Sequence, residues 1–362
     1  MSVKKLPVAV IGATGIAGQQ VLAALDGHPY FEVAVLGASE RSAGKSFEEA
    51  ITEPGSGLRR WYATEASPSA RTLALPVGDA RRLDLDGVAL VFAAVESEAA
   101  RELEPVYAAK APTISTARAH RTEPDVPLVI PGVNLDHLEL LAEQRKRRKW
   151  GGFLVTLPNC TATGLAITLK ALDERFGVEA LVVTTMQGIS GAGRDLPALD
   201  IVENIIPYIA REEERVEIET RKILGRLNGA KVIDHRLRVS ATCTRAGVLA
   251  GHTEAVSVAL SEPASNAQVA AAFEAFGTDF TSLRLPSSPQ RMITVHHDPN
   301  RPQPRLDRDA DGGMTTSVGR IRPDPVMRYG VRYVLVTHNA RMGAGKGAVL
   351  TAEYLRHAGY LD

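Results

Sequence analysis

The chemistry of this chain begins at Leu157-Pro158-Asn159-Cys160-Thr161-Ala162-Thr163-Gly164-Leu165, where an apolar strand stops and a helix begins. Gly152 to Thr156 reads as the strand. After Cys160, Leu165, Leu169, Leu172 and Phe176 recur at helical spacing, and Gly177 supplies the stop. A thiol at a helix N-terminus faces unpaired backbone N–H groups and the positive end of the helix dipole. Both favour the thiolate, the form that attacks carbonyl carbon. The competing reading is a buried structural cysteine. A cysteine nucleophile needs a base that works near neutrality, and His252 in Gly251-His252-Thr253-Glu254 is a candidate. Arg245, seven residues earlier, has the planar fork that binds a carboxylate through two hydrogen bonds. Taken singly, each could be a satisfied structural residue or a solvated charge.

A second chemical signature lies at the start. Pro7 to Ile11 is an apolar strand that runs into Gly12-Ala13-Thr14-Gly15-Ile16-Ala17-Gly18. A helix carrying Val21, Leu22 and Leu25 follows, and then a strand from Phe31 to Leu36. Strand, glycine turn, helix and strand make a dinucleotide-binding unit, with the pyrophosphate at the helix N-terminus. The spacing is G-x-x-G-x-x-G, so the placement of the glycines carries the reading. The second strand leads into Ser39-Glu40-Arg41-Ser42, where Arg41 with its two serines suits the 2′-phosphate of NADP. Glu40 keeps NAD open, and a solvated turn is the bland alternative.

Ala89 to Ala94 and Thr113 to Ser115 continue a parallel sheet. Beyond the Cys160 helix the pattern changes. Ala180–Met186, Val239–Thr244, Thr253–Leu260, Met292–Val295, Thr315–Ile321 and Tyr329–Val336 are strand-like. Helical periodicity occupies 199–209, 213–224, 267–276 and 345–357. The fold class is therefore α/β: an N-terminal Rossmann-type dinucleotide-binding domain plus an α+β domain with a mixed sheet. The expected division is 1–158 with 340–362 for the NADP-binding domain, and 159–339 for the catalytic and dimerisation domain. Lys+Arg and Asp+Glu are both 42, hydrophobic residues make up 44% and charged residues 23%. This balance points away from nucleic acid or membrane as a partner. Two cysteines make neither a disulfide framework nor a zinc cluster, and no metal site is expected. Without a signal peptide or a long apolar run, a cytoplasmic protein is expected.

The chain resembles the aspartate-β-semialdehyde dehydrogenase family, in its archaeal and fungal branch. The resemblance rests on Gly12-Ala13-Thr14-Gly15, Ala38 to Lys45, Pro158-Asn159-Cys160-Thr161, Gln187 with Ile189-Ser190-Gly191-Ala192-Gly193, Ile206-Pro207-Tyr208-Ile209, Gly251 to Glu254, Asp298 with Arg301 to Arg305, and Ser317 to Arg320. It implies an NADP-dependent phosphorylating aldehyde dehydrogenase that takes a small-molecule substrate and phosphate and assembles as a homodimer or homotetramer. Cys160 would be the nucleophile, His252 the acid/base, and Gln187 the residue that orients the acyl-enzyme. Arg245 would bind the substrate carboxylate and Glu212 its amino group. Arg215, Arg121 and Asn159 would line the phosphate and acyl sites. Gly12, Thr14, Gly15, Ile16, Ser39, Arg41, Ser42, Ser190, Gly191 and Asn339 would hold the cofactor. Gly132, Gly188 and Ala246-Gly247-Val248 depart from the family pattern, which customarily has glutamate, alanine and Val-Pro-Val at those places. The departures leave a paralogous malonyl-CoA or succinyl-CoA reductase as the alternative.

The NADP reading yields a test. Arg41→Ala should weaken NADPH binding much more than NADH binding, by about 1.5–3 kcal/mol for one lost charged hydrogen-bonding partner. Titration of both cofactors checks it, and equal affinities of the native protein for the two would contradict it.

Overall fold

The apolar run after Leu6 forms β1 (Leu6–Ile11), whose last four residues are wholly buried, as expected of a strand covered on both faces. The computed structural model describes residues 4–63, 67–192 and 198–361. Its contacts divide into two units: Met1–Val129 with Asp136–Leu157 and Ala344–Asp362, and Ile130–Leu135 with Pro158–Gly343.

In the first unit β1 is followed by α1 (Ile16–Leu25), β2 (Phe31–Ala38), the short helices α2 (Phe47–Ile51) and α3 (Ala70–Ala74), β3 (Val77–Asp79) and β4 (Leu90–Ala93). Then come α4 (Ser97–Ala108), β5 (Thr113–Ser115), α5 (Leu140–Arg148) and β6 (Leu154–Thr156). All strand pairs are parallel, in the order β3-β2-β1-β4-β5-β6. The order reverses between β1 and β4, and open α/β sheets bind ligands at the carboxyl ends of the strands at such a reversal. Gly12 ends β1 at this point, with φ at +83°. A β-carbon there would come within 2.3 Å of the Ala94 carbonyl oxygen. Gly18 serves packing instead: a β-carbon there would lie 2.2 Å from the Gly12 carbonyl oxygen.

The second unit opens with α6 (Cys160–Phe176) and β7 (Val178–Gln187). It continues through α7 (Ala198–Ile201), β8 (Ile205–Ile206), α8 (Glu212–Ile223), the hairpin β9 (Arg226–Asn228) and β10 (Lys231–Ile233), β11 (Arg238–Ala246) and β12 (His252–Leu260). After α9 (Asn266–Ala275) and α10 (Thr278–Thr281) come β13 (Ile293–His296), α11 (Pro304–Asp307), β14 (Thr316–Asp324) and β15 (Gly330–Thr337). The chain closes in α12 (Gly345–His357), which packs on α1 of the first unit. The second sheet runs β13-β14-β15-β12-β7-β11-β8. It is mixed, because β7/β11 and β13/β14 are parallel and the other pairs antiparallel.

One expectation fails here. The helical periodicity read over 199–209 gives a single turn, α7, and then the edge strand β8, which pairs with Arg245 and Ala246. Pro207 explains the break: it has no N–H to donate, and its ring pushes Ile206 out of the helical region and into the extended one. The β9–β10 hairpin and the helices α4 and α5 also fall outside the sequence reading. Asn228-Gly229, with Gly229 at φ +60°, is the turn signal that could have revealed the hairpin.

The Gly18 contact can be tested. Gly18→Ala should lower the stability of the cofactor-free protein by about 1–3 kcal/mol, because a backbone carbonyl cannot move aside as a side chain can. A urea midpoint unchanged from the native protein would show that the turn tolerates the added methyl.

Candidate active site

Cys160 is the first residue of α6, and Asn159 is its cap. The Asn159 side-chain oxygen accepts from the amides of Thr161 at 2.9 Å and Ala162 at 3.3 Å. The cap is itself held. Asn159 Nδ2 donates to Glu212 at 2.9 Å, and the Asn159 backbone N–H donates to Glu219 at 2.6 Å. Both carboxylates come from α8, seven residues apart on one helix face. Glu219 is absent from the sequence reading, and its spacing from Glu212 was the available signal. Glu212 is buried, and Arg215, one turn on and half-buried, donates to it at 3.2 Å.

The opposing side comes from the sheet. Register places Arg245 on β11, Gln187 on β7, His252 on β12 and Thr337 on β15 side by side. Partners on neighbouring strands project to the same face, so four side chains form one row. His252 Nε2 lies 3.2 Å from Cys160 Sγ. Its Nδ1 accepts from the Gly188 amide at 3.1 Å, so the ring carries its single proton on Nε2, toward the sulfur. Burial, reinforced by the Arg245 charge, pushes the proton affinity of the ring down to a pKa of about 3. His252 is therefore neutral, and it donates to a sulfur placed as acceptor. Arg245 is buried and donates to the Gly188 carbonyl at 2.8 Å. Burial also draws its pKa below the ordinary arginine value. Gln187 is buried and reaches Thr185 Oγ1 at 3.3 Å.

Two glycines set clearances. A β-carbon on Gly191 would lie 3.1 Å from both Arg245 Nη1 and His252 Cε1. One on Gly343 would lie 2.9 Å from the Cys160 β-carbon. Gly188 is also a contact glycine, since a β-carbon there would meet the Gly251 carbonyl oxygen at 2.8 Å. Alanine does not fit this loop as it stands, which accounts for that departure from the family pattern. Gly132 has φ at +80°, and a β-carbon there would press on Phe280 at 2.8 Å, so glutamate does not fit that place either. Asn339 joins two segments: it accepts from the Gly251 amide at 2.9 Å and donates to Ser190 Oγ at 3.0 Å. Gly193, the last residue of the Ser190 motif, lies outside the described residues.

The other cysteine, Cys243, is wholly buried on β11, and burial pushes its thiol up to about 12. Glu254, two residues past His252, is also wholly buried. Burial and the charge of Glu212 raise its carboxyl well above the usual range.

The first unit holds the remaining expected residues. Gly12, Thr14, Gly15, Ser39, Glu40 and Arg41 line a groove of about 450 Å³. Gly15 caps α1 with no side-chain hydrogen bond, so the backbone amides of Ile16 and its neighbours open the helix. Ser39, Arg41 and Ser42 lie in or beside a single 3₁₀ turn after β2, with Arg41 exposed. An uncapped helix start beside a glycine turn, with an arginine on the next strand's turn, fits a dinucleotide. Arg121 is buried in the loop after β5 and donates from Nη2 to the Thr116 carbonyl at 2.9 Å. Among the described residues no group of histidine, cysteine and carboxylate side chains could hold a metal ion. Among those residues, too, no helix is long and apolar enough to cross a membrane.

Comparison with known proteins follows the same division. Residues 7–141 match a family model described as semialdehyde dehydrogenase, NAD binding domain, and residues 169–342 one described as semialdehyde dehydrogenase, dimerisation domain. The aspartate-semialdehyde dehydrogenase of Methanothermobacter thermautotrophicus is 42% identical over 96% of this chain and 98% of its own. That of Aspergillus fumigatus is 40% identical over 99% of each. The crystal structure of aspartate semialdehyde dehydrogenase with NADP from Candida albicans superposes with a TM-score of 0.87 at 35% identity, covering 97% of this chain and 98% of that one.

The two thiols differ enough to be told apart. A small alkylating reagent should label Cys160 at neutral pH and leave Cys243 unmodified in the folded protein. Peptide mass spectrometry checks this, and preferential labelling of Cys243 would overturn the assignment of the reactive thiol.

Proposed function

The chain belongs to the aspartate-semialdehyde dehydrogenase family, and from the geometry at Cys160 we propose that it reduces L-aspartyl-4-phosphate to L-aspartate-4-semialdehyde through a thioester on that residue. The carrying observation is the 3.2 Å approach of Cys160 Sγ to His252 Nε2 at the capped start of α6. Arg245 and Gln187 stand in the same cross-strand row.

The thiolate of Cys160 attacks the acyl phosphate carbon, the C–O bond to phosphate breaks, and phosphate leaves with the electron pair. The helix N-terminus and the His252 N–H stabilise the sulfur before attack. When bound, NADPH supplies the hydride that reduces the thioester carbon. His252 donates from Nε2 toward the oxygen on that carbon, and Cys160 departs as thiolate to release the aldehyde. Gln187 orients the acyl group. Arg245 forks the α-carboxylate and Glu212 receives the ammonium group, so an amino-acid substrate finds both of its charges matched. Arg215, Arg121 and Asn159 serve the phosphate and acyl sites. Gly12, Thr14, Gly15 and Ile16 would hold the pyrophosphate, and Ser39, Arg41 and Ser42 the 2′-phosphate. Ser190, Gly191 and Asn339 would serve the nicotinamide. The domain roles follow: a cofactor domain of 1–158 with 340–362, and a catalytic and dimerisation domain of 159–339. We place the enzyme in the cytoplasm as a homodimer or homotetramer. A CoA ester brings no ammonium group for Glu212, which would then be left with Arg215 as its charged partner, and this disfavours the malonyl-CoA or succinyl-CoA reading.

Arg245 gives the sharpest test. Arg245→Lys keeps the charge but loses the fork, and Arg245→Leu loses both. Both should lower kcat/KM for aspartate semialdehyde, leucine by about 2–4 kcal/mol, while Cys160 still reacts with a small thiol reagent. The measurement is kcat/KM across aspartate semialdehyde, glutamate semialdehyde, malonyl-CoA and succinyl-CoA. If a CoA ester wins and Arg245→Leu leaves its rate unchanged, the amino-acid reading is wrong.

A further inference from the structure

The loop that carries Arg121 rests on a buried ionisable cluster that no step above uses. Glu104, on α4, is wholly buried. One of its oxygens accepts from Ser115 Oγ, and Ser115 Oγ in turn accepts from the Ala117 amide at 3.0 Å, so the carboxyl anchors the start of the loop. The other oxygen has no hydrogen-bond partner and lies 3.7 Å from His120 Nε2. Both nitrogens of His120 face acceptors: Nδ1 the Glu123 carboxylate, and Nε2 the Ala100 carbonyl at 3.3 Å. Two acceptors flanking one ring favour its doubly protonated form. Burial is the largest single influence and disfavours that cation, but the bond and charge of Glu123, the charge of Glu104 and the Ala100 carbonyl together outweigh it, and the pKa of the ring is raised. Glu123 and Asp125 both bind Arg148 of α5.

The charges of this cluster do not balance without Glu104. His120, Arg121 and Arg148 are three cations, and Glu123 and Asp125 are two carboxylates. β4 and β6, also packed on α4, bring no titratable side chain. The 80–85 segment packed beside them brings Arg81, paired with Glu102 on the exposed face of α4, and exposed Arg118 donates to Ser97 Oγ at the start of α4. Tyr107, one turn along α4, donates to the Ala80 carbonyl and is kept protonated by burial.

We propose that Glu104 is a positioning residue for Arg121. Through Ser115 and His120 it ties down the loop that presents the guanidinium, and the ionisation of its carboxyl sets how strongly Arg121 attracts an anion. This rests on the reading above that Arg121 meets phosphate. With Glu104 neutral the cluster has a surplus positive charge, which an incoming anion feels. With Glu104 ionised the surplus is cancelled. Burial lifts this carboxyl to a pKa of about 7, against the Ser115 bond and the nearby His120 and Arg121 charges, so the change falls near neutrality. Anion affinity is therefore higher below that pH and falls as pH rises through it.

The test uses the full-length enzyme in the direction that consumes phosphate, with sulfate as a competing inhibitor whose charge is constant between about pH 6 and about pH 8.5. For the native enzyme the sulfate inhibition constant should rise about three- to tenfold across that range, beyond any change in kcat. Glu104→Gln keeps the size and can still accept from Ser115, but it cannot ionise. It should bind sulfate as the native enzyme does at low pH and remain flat as pH rises. Ser115→Ala keeps the carboxyl but removes the bond that favours its ionised form, so the midpoint should move to higher pH. A native slope surviving in Glu104→Gln, or a midpoint unmoved in Ser115→Ala, would overturn the inference. Arg121→Leu separates the two readings. If it abolishes sulfate inhibition, the anion role of Arg121 stands whatever Glu104 does. If it leaves inhibition intact, the phosphate assignment of Arg121 fails, and the Glu104 inference with it.

Discussion

The structure depends most on the capping of α6 by Asn159. That side chain occupies two first-turn amides and donates from Nδ2 to Glu212, while the backbone N–H of the same residue donates to Glu219. A single asparagine thus fixes the helix start and the angle at which Cys160 leaves it, and links both to α8. N-caps contribute about 1 kcal/mol to stability in general. The greater effect here is geometric, because a reacting sulfur must be placed to within a fraction of an ångström.

Facing that helix end, the sheet does its part by register. Gln187 lies far in sequence from Arg245 and His252, which sit on consecutive strands, yet parallel and antiparallel ladders on either side of β7 bring all three abreast. A strand slip of one residue would send a side chain to the opposite face, so the alignment is all or nothing. Gly188 serves this row twice: its amide sets the tautomer of His252, and its carbonyl holds Arg245. A neutral histidine and a buried arginine stand within one loop's reach of each other because one residue, Gly188, supplies both hydrogen bonds through the peptide units on either side of it.

Much of this was legible in the chain. The turn from strand into helix at Cys160, the glycine turn at residue 12 and the alternation of β7, β11 and β12 are local patterns, and local patterns survive folding. What escaped was decided by tertiary contact or by one overriding residue. The stretch 199–209 has helical periodicity, but Pro207 breaks it, and pairing with β11 claims Ile205 and Ile206 as strand. Glu219 and Glu104 were not singled out by any local pattern. Only burial shows that one holds a backbone amide and the other lacks a partner for one oxygen. The role of Gly188 could be noticed as a departure from the family pattern, but its reason lies in the Gly251 carbonyl oxygen that leaves no room for a methyl.

The short strand β8 has a consequence for how substrate preference can change. Ile206 pairs with Arg245, and the chain from Ile206 reaches Glu212 in six residues, through Pro207 and into the first turn of α8. In the roles proposed for them, the carboxylate-binding Arg245 and the ammonium-binding Glu212 are therefore tied to the two ends of one lever, pinned at one end by strand pairing and at the other by a helix start. They cannot be respaced one at a time by small drifts of the backbone. A pocket for a longer or shorter amino acid has to be made by altering the side chains at the two ends or the length of the 207–211 connection, so this recognition evolves in steps rather than by gradual adjustment.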